Sequence, residues 1–336
     1  MTVARTRYFV IASLLILTIG LGTGLVAYYA GFPAGATGMV ADELRLLPHD
    51  ATVVAYADVH AVMVSEVRQR ILEMLPSQGS GQQDFENETG IKIDTDVDRL
   101  VACLAPAPGA QKDSLSGLAL IRGRFNEAKI EALMRSHGAH VADYKGTRVI
   151  ATDVHDARGG SNSLSVAFVE PGLAAVGGSE LVREAVDLKG GGDNITNNQD
   201  VMNFVKTFDG NDAWAVGRFD ALTGQAKMPQ GVASQIPPIT WFAASGKIDG
   251  GIAGTFRADT RDEESANSLR DVLRGVVAFA KLQTTAHPEL RPMLDSLQLA
   301  GSGNSVTLAF DVSPQMFDQL ATVVKGLRPA AVTRSK

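Results

Sequence analysis

Four aspartates recur at matched spacing in this chain of 336 residues. "DATVVAYADV" (residues 50–59) aligns without gaps on "DAWAVGRFDA" (212–221), setting Asp50 on Asp212, Ala51 on Ala213, Val54 on Val216 and Asp58 on Asp220. If two such strands pack about a twofold axis, Asp58 and Asp220 could meet and share a proton, as the acid pair of an aspartic protease does. Those enzymes hold their acids in Asp-Thr/Ser-Gly loops, whereas Asp58 precedes Val59-His60 and Asp220 precedes Ala221-Leu222. The simpler expectation is that both acids cap helices, each accepting N–H groups of the turn that follows its strand.

The other chemistry-bearing residues give weaker patterns. His137 and His140, followed by Asp153, His155 and Asp156, contain metal-ligating types, and a metal-assisted hydrolase could be built on them. The two histidines are not an i, i+4 pair on one helix, because Gly138 between them ends the helix. "DTDVD" (94–98) opens like a calcium loop but has Arg99 at position six and Ala105 at position twelve, where glycine and glutamate are needed; these acids fit a helix start. Cys103, the sole cysteine, lies in apolar "RLVACLAP" and reads as a core residue; it excludes an internal disulfide and a CxxC site. Ser179 in "GGSELV" lacks the nucleophile elbow, and Lys189 to Gly192 lack the Gly-Lys-Ser/Thr ending of a P-loop. No catalytic, cofactor-binding or metal-binding residues are assigned, no cofactor is expected, and the chain is not read as an enzyme.

The elements that would position such residues follow a segment of a different kind. Tyr8 to Ala30 carries no charge, and as a helix its 23 residues would span about 34 Å, enough for a ~30 Å hydrocarbon core. Arg5 and Arg7 precede it, and the next twelve residues contain only Asp42 as a charge, which holds the N-terminus in the cytoplasm and exports the rest. A signal peptide cleaved at Ala34-Gly35-Ala36 is the alternative, but the apolar stretch exceeds the usual ~7–15 residues. Residues 1–36 are therefore read as a signal anchor and the start of a tether. Gly20 and Gly24 form a GxxxG pair able to bring two such helices together.

Beyond residue 36 there are 29 basic and 37 acidic residues, with no cationic run, which argues against nucleic acid as a partner. "GFPAGATGMVADELRLLP" reads as tether, and Ala51, Val53, Ala55 and Ala57 alternate onto one face of a first strand. A helix follows from Asp58, then a polar loop, "SQGSGQQDFENETG". Hairpins are expected at Glu170-Pro171-Gly172, at Asp249-Gly250-Gly251 and within 296–312. Helices are expected after Asn126, after a capping Ser179, and after a Thr260/Glu263 capping box. The order strand, helical segment, hairpin, long helix occurs twice. The expected fold is α+β, with two related halves (37–208 and 209–330) of largely antiparallel sheet and helices on one face.

"LPHDATVVAYADV", "YKGTRVIATD" and "GLAAVGGSELVREAVDL" resemble signature pieces of bacterial membrane-anchored exported domains of unknown function. The resemblance covers most of the chain and implies topology and location; it brings no catalytic residues. The function expected is that of a membrane-tethered exported binding or structural protein, interacting with envelope or membrane-complex proteins. The alternative is a carrier of an apolar small molecule or lipid, using a cavity between sheet and helices.

Overall fold

The computed structural model describes residues 40–69, 79–106, 115–155, 161–208, 210–223, 237–283 and 291–316. Tyr8 to Ala30 lie outside them, and no helix of the described residues is long and apolar enough to cross a membrane. The first half runs α1 (Val40–Leu44), β1 (Val53–Ala57), α2 (Val59–Val64), α3 (Gly79–Thr89), α4 (Ile93–Asp96), β2 (Val97–Pro106), β3 (Leu115–Gly123) and α5 (Glu127–Ser136). It continues through β4 (His140–Tyr144), β5 (Thr147–His155), β6 (Ser161–Glu170), β7 (Leu173–Gly178), α6 (Ser179–Leu188) and α7 (Gln199–Val205). Then come β8 (Ala213–Arg218), α8 (Phe219–Thr223), β9 (Ile239–Asp249), β10 (Gly251–Thr260), α9 (Glu263–Gln283), α10 (Arg291–Asp295), β11 (Gln298–Ala300) and β12 (Ser305–Val312).

The chain mixes helix with antiparallel sheet. The twelve strands of the described residues join one sheet, in the order β11-β12-β10-β9-β8-β1-β2-β3-β7-β6-β5-β4, rather than one sheet for each expected half. The seam is the antiparallel pair β1/β8, in which Val54 lies opposite Val216 and Tyr56 opposite Trp214. Outward from this seam the order 1-2-3-7-6 on one side is matched by 8-9-10-12-11 on the other.

Helices cover both faces of the sheet, not one. The reason is legible in β1, whose five residues are all buried: Val54 and Tyr56 point one way, Val53, Ala55 and Ala57 the other. On the first face, Val54, Val101, Leu120 and Ala175 pack under Leu181, Val182 and Ala185 of α6, with Leu44 and Leu47 beside α1. Tyr56 and Phe208 both stack on Trp214 there, with ring centroids 5.9 and 5.5 Å away. On the second face, Leu100, Ala102 and Ala119 meet Val59, Ile91 and Ile93. In β7, a Cβ at Gly177 would collide with the Gly117 carbonyl oxygen of β3, so glycine there permits the close strand approach.

Several local expectations are corrected. Residues 40–47, read as tether, are a docked helix and turn in which Glu43, Leu44, Leu46 and Leu47 are buried. The polar stretch read as a loop contains α3, which buries Phe85 and Thr89, one turn apart, against the sheet. The helix after Asp58 is interrupted at Ser65, whose backbone is extended. Helix α6 begins at Ser179 without a side-chain cap; the Ser179 hydroxyl instead bonds Ser163 and Ser165. Asp262, not Thr260, caps α9, accepting from the Ser265 N–H at 2.8 Å, because Thr260 still belongs to β10. Asn126 caps α5 by accepting from the Lys129 N–H at 3.0 Å. Asn126→Ala is expected to cost about 1 kcal/mol in urea unfolding.

Candidate ligand cavity

Asp58 caps α2: its Oδ1 accepts the Ala61 N–H at 2.8 Å. Asp220 does not repeat this. It lies inside the first turn of α8, exposed, and makes a two-point ion pair with Arg218 at 2.7 and 3.2 Å, which holds its carboxyl below the usual range. Asp58 and Asp220 lie at opposite ends of the β1/β8 pair, since antiparallel strands place the end of one beside the start of the other. The acid that Asp58 meets is Asp212, whose carbonyl accepts the Asp58 N–H at 2.8 Å. Asp212 is wholly buried; one carboxyl oxygen accepts from the Ile248 N–H at 3.1 Å, while the other has no partner among the described residues. Burial pushes its pKa up to about 7, and Asp58 adds to the rise.

The remaining candidates fall into structural roles or apart from one another. Asp96 closes the α4 turn, accepting the Lys92 N–H at 2.8 Å, and Asp98 pairs with Arg124. Cys103 is buried, which pushes its thiol pKa up and leaves it a poor nucleophile. His140 pairs with Ala151 in the β4/β5 ladder, while His155 lies four residues further along β5, about 13 Å at ~3.3 Å per residue. The histidines are thus not brought to one point, and no group of three or more metal-ligating side chains occurs among the described residues. Asp156 lies outside the described residues.

His137 belongs to a site of another kind. It lines an apolar cavity of about 120 Å³ on the second face of the sheet. The floor is Leu100 of β2, Ile121 of β3, Val166 of β6, and Ala174 and Val176 of β7. Helix α5 forms the roof with Ile130, Leu133 and Met134; Phe85 of α3 with Ile91 closes one side, and Phe125 and Phe168 meet at 6.4 Å between ring centroids. No aspartate, glutamate, lysine or arginine is among its lining residues. Its three polar side chains are His137, Thr89 and Thr152. Thr89 is spent locally, donating to the Phe85 carbonyl at 2.7 Å and accepting from the Ile91 N–H at 3.1 Å. The His137 Nδ1 lies 2.8 Å from the Leu133 carbonyl oxygen, a bond that requires its N–H there.

The roof is unusual for a helix over an apolar floor: α5 has no buried residue. Ile130, Leu133 and Met134 on its apolar side are only half-buried, with Met134 packed on Val166, Ala174 and Val176 and the cavity beside it. Polar contacts hold it in place, through Glu131, which pairs with Arg135 on the same helix and with Arg148 of β5. At its C-terminal end Gly138 turns the chain at φ +90°, and the Ala139 N–H returns to the Met134 carbonyl. A lining of this kind matches the chemistry of an apolar guest; an engineered cavity of comparable size holds benzene.

The cavity was not foreseeable residue by residue, since its lining comes from at least eight separate elements. No family model matches the chain, and no curated protein matches it. A solved structure, crystal form I of the bacterial protein TP0453, is similar over 85% of this chain and 97% of that one, with a TM-score of 0.45 and 12% identity.

Proposed function

We propose that this is a membrane-tethered exported protein that holds an apolar guest, a small lipophilic molecule or part of a lipid hydrocarbon chain, between α5 and the sheet. The observation that carries the reading is the cavity roofed by a helix with no buried residue. Location rests on the uncharged stretch Tyr8 to Ala30, on Arg5 and Arg7 before it, and on the resemblance to anchored bacterial domains. The mirrored strand order, with Val54 opposite Val216 at the seam, supports reading 37–208 and 209–330 as a duplication. Of the two functions expected from the sequence, the apolar lining of this cavity supports the carrier; an envelope partner protein is the competing reading.

The test is binding of benzene and n-hexane to the full-length protein in detergent, followed by NMR of the Met134 methyl group. Both probes are expected to shift that signal in the wild type. Ala174→Leu adds three carbons to the floor and is expected to weaken binding at least tenfold with little loss of stability, because it fills space. Met134→Trp enters from the roof and serves if Ala174→Leu does not fold. A wild-type signal unmoved by saturating probe, or undiminished binding in a folded filled variant, would sink the proposal.

A further inference from the structure

Helix α9 is held to the sheet by its N-terminal half. Ala266 and Leu269 are buried with Val306, against Ala258 and Leu299. Buried Arg270 donates to the carbonyls of Gly303 at 3.0 Å and Ser305 at 2.8 Å. Further along, the pattern inverts. Val272 is 49% exposed, Val276 59%, Phe279 63% and Leu282 73%, a progressive rise towards the C-terminal end of the helix. Their spacing of four, three and three residues puts them in one stripe. Phe256 of β10, stacked on Phe310 and itself 47% exposed, adds apolar surface to the same half of the sheet.

The charges around this stripe are few. From residue 272 to 283 the helix carries Arg274 and Lys281 and no acid. Arg274 pairs with Asp271 one turn earlier, and Lys281 pairs with Asp295 of α10, which Arg291 also approaches. Among the described residues here three cations stand against two acids, in a chain whose net charge is −6. The four exposed side chains offer on the order of 500 Å², short of the ~800 Å² per partner of a stable protein interface. The same area and charge suit shallow insertion among anionic headgroups, where one apolar face and flanking cations are what an interfacial helix needs. The tether supplies proximity: only nine residues separate Ala30 from α1, at most about 32 Å of extended chain, and α1 leads straight into Leu44 and Leu47, both buried on the sheet.

We propose that the second half of α9, from Val272 to Leu282, lies in the headgroup layer of the bilayer to which the chain is anchored. The inference rests on the membrane-tethered reading above. It gives the domain a second contact with the membrane and so a fixed orientation on it.

The test uses the full-length protein in vesicles of phosphatidylethanolamine and phosphatidylglycerol. A nitroxide is attached at Phe279→Cys or, as a control, at Val64→Cys, an exposed site on α2; native Cys103 is buried and does not compete. Oxygen, which concentrates in lipid, is expected to relax the label at position 279 at least threefold more than a water-soluble nickel complex does, with the reverse order at position 64. If the wild type leaves the vesicles in alkaline carbonate, the tether reading fails. If it stays but position 279 behaves like position 64, only the docking of α9 is overturned. A label at position 279 already immobilised in detergent, or broadened in proportion to protein density, also overturns it, showing the stripe covered by protein.

Discussion

Glu43→Ala is expected to lower the stability of the protein by about 3 kcal/mol, and its Tm by roughly 4–5 °C. Glu43 has no exposed surface, and one of its carboxyl oxygens accepts from Arg99 Nε at 3.1 Å, Arg99 Nη2 at 3.0 Å and Arg122 Nε at 2.9 Å. Removing the carboxylate takes the shared acceptor away from two guanidiniums in a largely desolvated place, and that lost compensation is the main cost. Both arginines keep about a fifth of their side-chain surface, and Arg122 keeps Glu170 at 3.3 Å, so the loss falls at the low end for a buried pair. Glu43→Gln preserves shape and two hydrogen-bonding atoms and is expected to cost less than Glu43→Ala. The effect should persist in 0.5 M salt, unlike that of the exposed Arg183–Glu180 pair, because screening acts on solvent-exposed charge. Chemical denaturation of the three proteins at two salt concentrations checks this; a change below 1 kcal/mol for Glu43→Ala would show the cluster to be ornamental. The consequence for the molecule is positional: α1 is the first of the described elements, and this cluster fixes it to β2 and β3.

Glu43 also shows where sequence reading stops. In "VADEL" it follows small residues and looks solvated, and nothing local announces that Arg99 and Arg122, more than fifty residues away, will close over it. The same holds for α3, whose run of Gln, Asp and Glu hides that Phe85 and Thr89 are buried, and for edge strand β4, which contributes no fully buried side chain. What could be read were features written in neighbouring residues. The turn at Pro171-Gly172, the break at Gly138 and the cap at Asp58 each depend on one or two side chains and their adjacent backbone. The ten-residue match around Val54 and Val216 was legible as a repeat, yet its meaning was not, because pairing direction decides which acids meet. Parallel alignment on paper sets Asp58 on Asp220; antiparallel pairing in the sheet sets Asp58 beside Asp212. The cavity lies furthest beyond reach, since an unfilled volume is a property of how α5 stands over five strands and not of any stretch of chain.

Stability is expected to fall as pH rises from about 5 to 8, with Asp212 the largest single cause. In the folded chain burial holds the Asp212 carboxyl at about 7, whereas an unfolded aspartate ionises near 3.9. Between those values the native state binds a proton that the unfolded state has released, so each step up in pH favours unfolding. The contribution is complete below the unfolded value and is lost as pH passes through the folded one. Its size is on the order of 3–4 kcal/mol across that window. Asp58, also raised by burial, works in the same direction, while nearby Lys247 and the Ile248 N–H partly oppose the rise at Asp212. The carboxylates of Asp187, Asp220, Asp262 and Asp295 are lowered by their cationic or hydrogen-bonding partners and pull the other way, but all are well solvated and contribute little. Asp212→Asn mimics the protonated acid at every pH and retains an acceptor for the Ile248 N–H. The wild type should therefore lose roughly 4–5 °C more in Tm than Asp212→Asn between pH 5 and pH 8, and the two curves should converge at the acid end. Parallel curves would mean that Asp212 ionises without penalty, and that the unpartnered oxygen beside Asp58 has found a donor that the packing of β1 against β8 does not supply.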